Sequence, residues 1–227
     1  MTEKQIEYGF WHWDKTNNFP PDSITYPHEY KGQAKFNIAC SQILDMTPTQ
    51  QKKLVKEWVD FLPNCKDVEM LWFTTHLNQQ LFDSVCKLKN LTGLNIKWSS
   101  IKTLDNISNL TNLKYLRIGS SAKVESIKPL TTLPNLEVLD IENFKKITDF
   151  SPLSTLTNLI YFSTAMISCV DKRIDTVFNL KNLLTLNWAF DIPKKDMERL
   201  KTELPKLKYL PHRYYEENMK KLKASFG

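Results

Sequence analysis

Residues 91–110 read LTGLNIKWSSIKTLDNISNL, with apolar residues at Leu91, Leu94, Ile96, Ile101, Leu104, Ile107 and Leu110. Leu94 and Ile96 are two apart, so on an extended chain they share one face while Asn95 points to the other. From Ile101 onward the spacing is three, which suits a helical or 3-10 turn lying over the same core. A single strand and turn of this size cannot bury its own apolar face.

The template recurs. Aligned on the first residue of each L-x-x-L-x-[LI] core, units start at Val68, Leu91, Leu113, Leu136, Leu159, Leu183 and Leu207, with separations of 23, 22, 23, 23, 24 and 24. A polar phrase repeats before the cores as well: Leu88-Lys89-Asn90, Leu110-Thr111-Asn112, Leu133-Pro134-Asn135, Leu156-Thr157-Asn158, Leu180-Lys181-Asn182 and, loosely, Leu204-Pro205-Lys206. A period of 22 to 24 falls in the leucine-rich repeat range, and neighbouring units must stack to bury a continuous core.

Over residues 68–211 the chain resembles the 22-residue class of leucine-rich repeats known from bacterial internalins and from a eukaryotic protein-phosphatase regulator. The resemblance implies an α/β solenoid with a curved parallel sheet on the concave face and short helical or 3-10 turns on the convex face. It brings no catalytic residue. The residues themselves place Leu94/Ile96, Leu116/Ile118, Leu139/Ile141 and Leu186/Trp188 inside. The ninth position, often asparagine in this class, is Ser99, Ser121, Phe144, Ile167 and Asp191, so the internal asparagine ladder is missing or replaced. Phe162 and Thr164 depart from the pattern, and the solenoid should be irregular in that unit.

Solenoid ends need covers. Thr47-Pro48-Thr49-Gln50 combines an N-cap residue, proline at the first helical position and glutamine three residues after the cap. Leu54, Trp58, Phe61 and Leu62 continue it as an amphipathic stripe. Residues 47–67 are therefore expected to form a cap helix over the first strand, Val68 to Phe73. Residues 212–227 should form the closing helix through Tyr215, Met219, Leu222 and Phe226, with Lys220, Lys221 and Lys223 on its solvated side. Residues 1–46 hold Tyr8, Phe10, Trp11, Trp13, Phe19, Tyr26, Tyr30 and Phe36, too aromatic for a disordered tail. A strand or hairpin packed on the cap is the favoured reading; a partner-binding arm is the alternative.

The net charge of +6 comes from 31 basic against 25 acidic residues without a tight Lys/Arg block, so nucleic acid is not the expected partner. No apolar run is long enough to span a bilayer and the first residues do not read as a signal peptide, which makes a cytoplasmic protein without membrane insertion the expectation. A leader already removed is the open alternative. Cys40, Cys65, Cys86 and Cys169 lack C-x-x-C spacing and read as reduced. Matches to N-x-[ST] at Asn90, Asn106 and Asn109 follow from the repeat phrasing. His12, His28, His76 and His212 lie in different regions, and neither a metal nor a cofactor is expected.

The repeats do specify a surface. The outward third positions form a column of Met70, Gly93, Tyr115, Val138, Tyr161, Thr185 and Tyr209. The fifth positions give Trp72, Asn95, Arg117, Asp140, Ser163 and Asn187, and the seventh give Thr74, Lys97, Gly119, Glu142, Ala165 and Ala189. Trp98 and Asn143 follow at strand ends. Candidate partner-binding residues are Trp72, Lys97, Trp98, Tyr115, Arg117, Asp140, Glu142, Tyr161, Asn187 and Tyr209, because Tyr, Trp and Arg are common interface anchors. Lys97 and Arg117 are near enough to pair with Asp140 and Glu142. An acid/base reading of Asp140 and Glu142 is outweighed by solvated or paired charge. The expected function is a monomeric, non-enzymatic module that binds another protein on its concave face, in an inhibitor or immunity-type role. The alternatives are a regulatory subunit docking on an enzyme and a nucleic-acid or membrane-surface binder acting through the basic carboxy-terminal helix.

Overall fold

The computed structural model describes residues 21–210. The closing helix expected over residues 212–227, and the aromatic residues before position 21, lie outside the described residues.

Within them the strands form one parallel sheet in chain order: β1 Ser23–Ile24, β2 Lys35–Ile38, β3 Met70–Leu77, β4 Gly93–Ser99, β5 Tyr115–Ile118, β6 Val138–Glu142, β7 Tyr161–Ala165 and β8 Thr185–Asn187. Each successive pair is parallel, so every connection crosses the convex side. The crossovers hold helix α1, Pro48–Phe61, and helix α2, Gln79–Val85. Next come 3-10 turns at Asp105–Asn109, Lys128–Thr132, Ser151–Thr155 and Ile174–Asn179, and finally helix α3, Lys194–Glu203. The change of spacing from two to three at Ile101 therefore marks the change from strand to turn.

Alternation sends Leu94, Ile96, Leu116, Ile118, Leu139, Ile141 and Leu186 inward, where all are fully buried. Ile101, Leu104, Ile107 and Leu110 meet them from the convex side in one continuous core. Toward the carboxy-terminal end the core turns aromatic. Trp188, in place of an aliphatic residue, lies 5.0 Å from the Phe150 ring and 6.1 Å from that of Phe162. The ninth-position residues replace an asparagine ladder in two ways. Ser99 and Ser121 share a buried hydroxyl hydrogen bond of 2.6 Å, and Phe144 fills the next place with its whole side chain buried.

The sheet starts earlier than the repeat count indicates. β1 and β2 extend it on the near side of β3, with Phe36 paired to Leu71 and Ile38 to Phe73. The helix expected to close the array over Val68–Phe73 is thus the convex element of a further unit, with two strands outside it. Its start matches the sequence reading: the Thr47 hydroxyl accepts from Gln50 N at 3.3 Å and Gln50 Oε1 accepts from Thr47 N at 2.8 Å. Trp58 explains the packing, since its indole stacks on Phe36 and its Nε1 donates to the Thr25 carbonyl at 2.7 Å.

Around Phe162 the strand itself is regular. Thr164, buried where an aliphatic residue is expected, donates to Asn187 O at 3.1 Å and accepts from Ala189 N at 2.9 Å, so its hydroxyl joins two strands. Irregularity is confined to the stretch between Ala165 and Ile174, where an isolated bridge joins Ile147 and Cys169. All four cysteines are free and buried. Burial pushes the Cys40 thiol up to about 12 and that of Cys65 up to about 11, far from the thiolate range.

A second ladder runs along the starts of the strands. Asn90, Asn112, Asn135, Asn158 and Asn182 donate through Nδ2 to the carbonyls of Lys66, Lys89, Thr111, Pro134 and Thr157, at distances between 2.7 and 3.0 Å. Each donor sits immediately before a core leucine, and each acceptor stands two residues before the core of the preceding unit. Lys206, the next residue in the series, donates to Asn182 Oδ1 at 2.7 Å. The repeated polar phrase is therefore a fastening between units. Asn135→Ala is expected to lower stability by about 0.5–1.5 kcal/mol, the usual net value of one hydrogen bond. Adding Asn158→Ala should produce a second, additive loss in urea unfolding, and an unchanged midpoint in both variants would remove the ladder from the account of stability.

Candidate functional site: the concave face

The register aligns the outward positions as the repeat spacing requires. Met70, Gly93, Tyr115, Val138, Tyr161 and Thr185 lie side by side, with Tyr209 bridged to Thr185. Two residues along each strand, Trp72, Asn95, Arg117, Asp140, Ser163 and Asn187 form the next row, which Asn37 extends onto β2. The seventh-position row is broken at β3. Pairing jumps from Phe73 with Ile96 to His76 with Trp98, so one extra residue bulges at Thr74–Thr75.

The aromatic anchors are not where an exposed-sheet reading puts them. Trp72 and Tyr161 are only 2% and 6% exposed, and they join Met70, Val138 and half-buried Tyr115 in a small apolar cluster separate from the main core. Gly93 is one physical reason. It offers no side chain, and Met70 leans across it, with its Cε 2.7 Å from where a Cβ would stand. Trp98, in contrast, is 42% exposed at the end of β4, with Lys97 Nζ 4.7 Å above its ring.

Beside the apolar cluster runs a charged one. Arg117 Nε lies 3.4 Å from Asp140 Oδ2, and its Nη2 lies 3.3 Å from Glu142 Oε2. Asp140 and Glu142 are two apart on β6, so their side chains share the concave face, and Arg117 reaches both from β5. The three side chains retain 30%, 17% and 28% exposure, which makes the network half-buried. Burial pushes the Asp140 carboxyl up; Arg117 and a hydrogen bond from Ser163 pull it back, and Glu142 pushes it up again. The Tyr161 phenol is pushed up to about 12 by burial first and by the Asp140 charge second, so it stays protonated at neutral pH. Asn187 extends the polar row, its Nδ2 donating to Ser163 Oγ at 3.3 Å.

Of the two expected counter-charges, only Arg117 engages the carboxylates. Gly119 separates Lys97 from Glu142 in the seventh-position row, and the ammonium rests on Trp98. Asp140 and Glu142 are bridged by a guanidinium, which argues against a free acid and base. Burial lowers the pKa of His76, which favours its neutral form. Among the described residues no group of three or more His, Cys, Asp or Glu side chains could hold a metal ion, and no helix is long and apolar enough to cross a membrane.

Scattered lysines that form no block in the sequence do converge elsewhere. Lys102, Lys123, Lys128 and Lys146 line one groove together with Asp105 and Glu125. Only their similar places in successive units could have signalled this, and Lys146 is already paired with Glu125 at 3.2 Å.

The repeat register and the sheet geometry agree with the comparison to known families, in which residues 111–155 match the family described as Leucine Rich repeats (2 copies). Those residues carry leucine-rich repeats, and the same strand-and-turn unit continues on either side of them. No curated protein matches it in sequence. Among solved structures, it is similar to a leucine-rich repeat protein of Leptospira interrogans, with 17% identity and a TM-score of 0.51 over 77% of this chain and 47% of that one. It is also similar to internalin C2 of Listeria monocytogenes, with 23% identity and a TM-score of 0.48 over 67% of both chains. The repeat protein thus spans about half the length of the Leptospira protein. Leucine-rich repeats of this kind are typically protein-binding scaffolds.

Proposed function

We propose that this leucine-rich repeat protein is a non-enzymatic module that captures another protein on its concave face, centred on Arg117, Asp140 and Glu142 and flanked by Lys97 and Trp98, in an inhibitor or immunity-type role. The observation that carries the reading is a half-buried charge network on the face opposite the core. Folding gains little from such charges, because desolvation cancels much of their attraction, and an apolar or neutral pair would cover the sheet as well. A recognition surface uses them for orientation and partner choice. Trp98 beside them adds the exposed aromatic surface that interface anchors supply. Trp72 and Tyr161 flank the surface in the apolar cluster beside it.

The test is affinity capture from the host lysate with the wild type beside Lys97→Glu/Trp98→Ala, both at exposed positions, with the variant's fold checked by circular dichroism. A single protein held by the wild type and lost by the variant supports the concave site. Equal capture moves the site to the convex side or to the ends of the chain.

A further inference from the structure

Asp140 and Glu142 present two carboxylates to one guanidinium, and among the described residues no other cation reaches either. Among the described residues, lysines of the neighbouring units are engaged otherwise: Lys97 on the Trp98 ring, Lys114 with Glu137 at 3.6 Å, Lys145 with the Met166 carbonyl at 2.8 Å and Lys146 with Glu125. The site is therefore one charge short inside a chain whose net charge is +6. Arg117 also holds its partners loosely. Its closest contacts of 3.4 and 3.3 Å exceed the 2.7–2.9 Å usual for charge-assisted hydrogen bonds, and its buried Nε makes no hydrogen bond. Lone pairs on both carboxylates remain for another donor. Around them stand the Tyr161 phenol, Ser163 and Asn187, which supply hydrogen bonds but no positive charge.

Resting on the concave-face reading above, we propose that this surface takes a partner segment presenting a lysine or arginine, whose cationic end seats between Asp140 and Glu142 beside Arg117. The internal guanidinium is then a place-holder: it keeps the carboxylates oriented in the free protein and gives up part of its contact when the partner's cation arrives. The burial that raises the Asp140 pKa acts in the same direction, because a desolvated carboxylate gains more from a second counter-charge than a hydrated one does.

The probe is a random phage-displayed peptide library selected on the full chain, followed by titration of the selected synthetic peptides. Selected peptides should share a Lys or Arg whose replacement by methionine weakens binding by about tenfold or more, the scale expected for losing a half-buried charge contact. The same peptides should bind Asp140→Asn/Glu142→Gln comparably weakly, and the methionine replacement should then cost nothing further. Arg117→Gln removes the internal competitor and should bind the basic peptides more tightly than the wild type, a gain that a purely structural network would not produce. If the double variant fails to fold, the Arg117→Gln gain and the methionine replacement decide alone. Selected peptides without a basic residue that are lost on Lys97→Glu/Trp98→Ala would overturn this inference and leave the concave-face module standing. Basic peptides that bind the double variant as well as the wild type would overturn it too. An empty selection, or peptides indifferent to every one of these variants, would take down both readings.

Discussion

Leu116→Asp is expected to leave the chain without a cooperative thermal transition. Leu116 is fully buried on β5 between Leu94 and Leu139, with which it is in register on either side. A carboxylate there has no cation and no donor in the core; the cost of an unpaired buried charge, roughly 3–5 kcal/mol or more, rivals the whole 5–15 kcal/mol by which a domain is usually stable. In a stacked array the damage spreads, because each unit is held by its neighbours. Tyr115→Ala, one residue earlier on the other face, should cost only about 1–2 kcal/mol, since it thins a half-buried cluster without opening the main core. Circular dichroism melts of the two variants make the comparison, and equal losses would refute the assignment of inside and outside.

Gly119→Ala should be the more surprising loss. A Cβ built on Gly119 collides with the carbonyl oxygen of Lys97 on the adjacent strand, and a main-chain atom cannot swing away as a side chain can. Gly119 N also donates to Ile96 O at 2.7 Å, so relief by separating the strands costs that hydrogen bond. A destabilisation of about 2–3 kcal/mol is expected from overpacking and strand displacement. Gly93→Ala is the control. There the new methyl meets the Met70 side chain alone, most closely its terminal methyl, which can rotate aside, and the loss should stay below about 1 kcal/mol. Urea unfolding of both variants measures the difference; a Gly119→Ala midpoint as high as that of Gly93→Ala would mean the strands part easily at this place.

Much of this architecture was legible because the repeat is a physical period. Leu94, Leu116, Leu139 and Leu186 announce the inner face by spacing alone, and the same spacing aligned Arg117 with Asp140 before any contact was known. What the period could not reveal was height. Trp72 and Tyr161 occupy outward positions, yet Gly93 leaves a gap into which Met70 leans, and burial follows from neighbours several strands away in sequence. Lys97 was equally ambiguous: spacing placed it within reach of Glu142, and only the geometry shows it resting on Trp98. The strands at Ser23–Ile24 and Lys35–Ile38 were obscured because they are short and lack the leucine phrase. The asparagines before each core were visible as a pattern, but their partners are carbonyls, which leave no trace in side-chain identity.

Those asparagines bear on how such a chain can change its length. Each amide nitrogen grips a carbonyl of the unit before it, and carbonyls are the same whatever residue carries them: Lys66, Lys89, Thr111, Pro134 and Thr157 serve alike. The fastening has no memory of which unit it joins. A tandem duplication inserted between Asn112 and Asn135, or an in-frame loss of one whole unit, recreates the identical seam on both sides. At this seam, then, the protein's span can change in steps of one repeat without a new joint being invented; the side-chain contacts between particular units, such as Ser99 with Ser121, would have to be rebuilt.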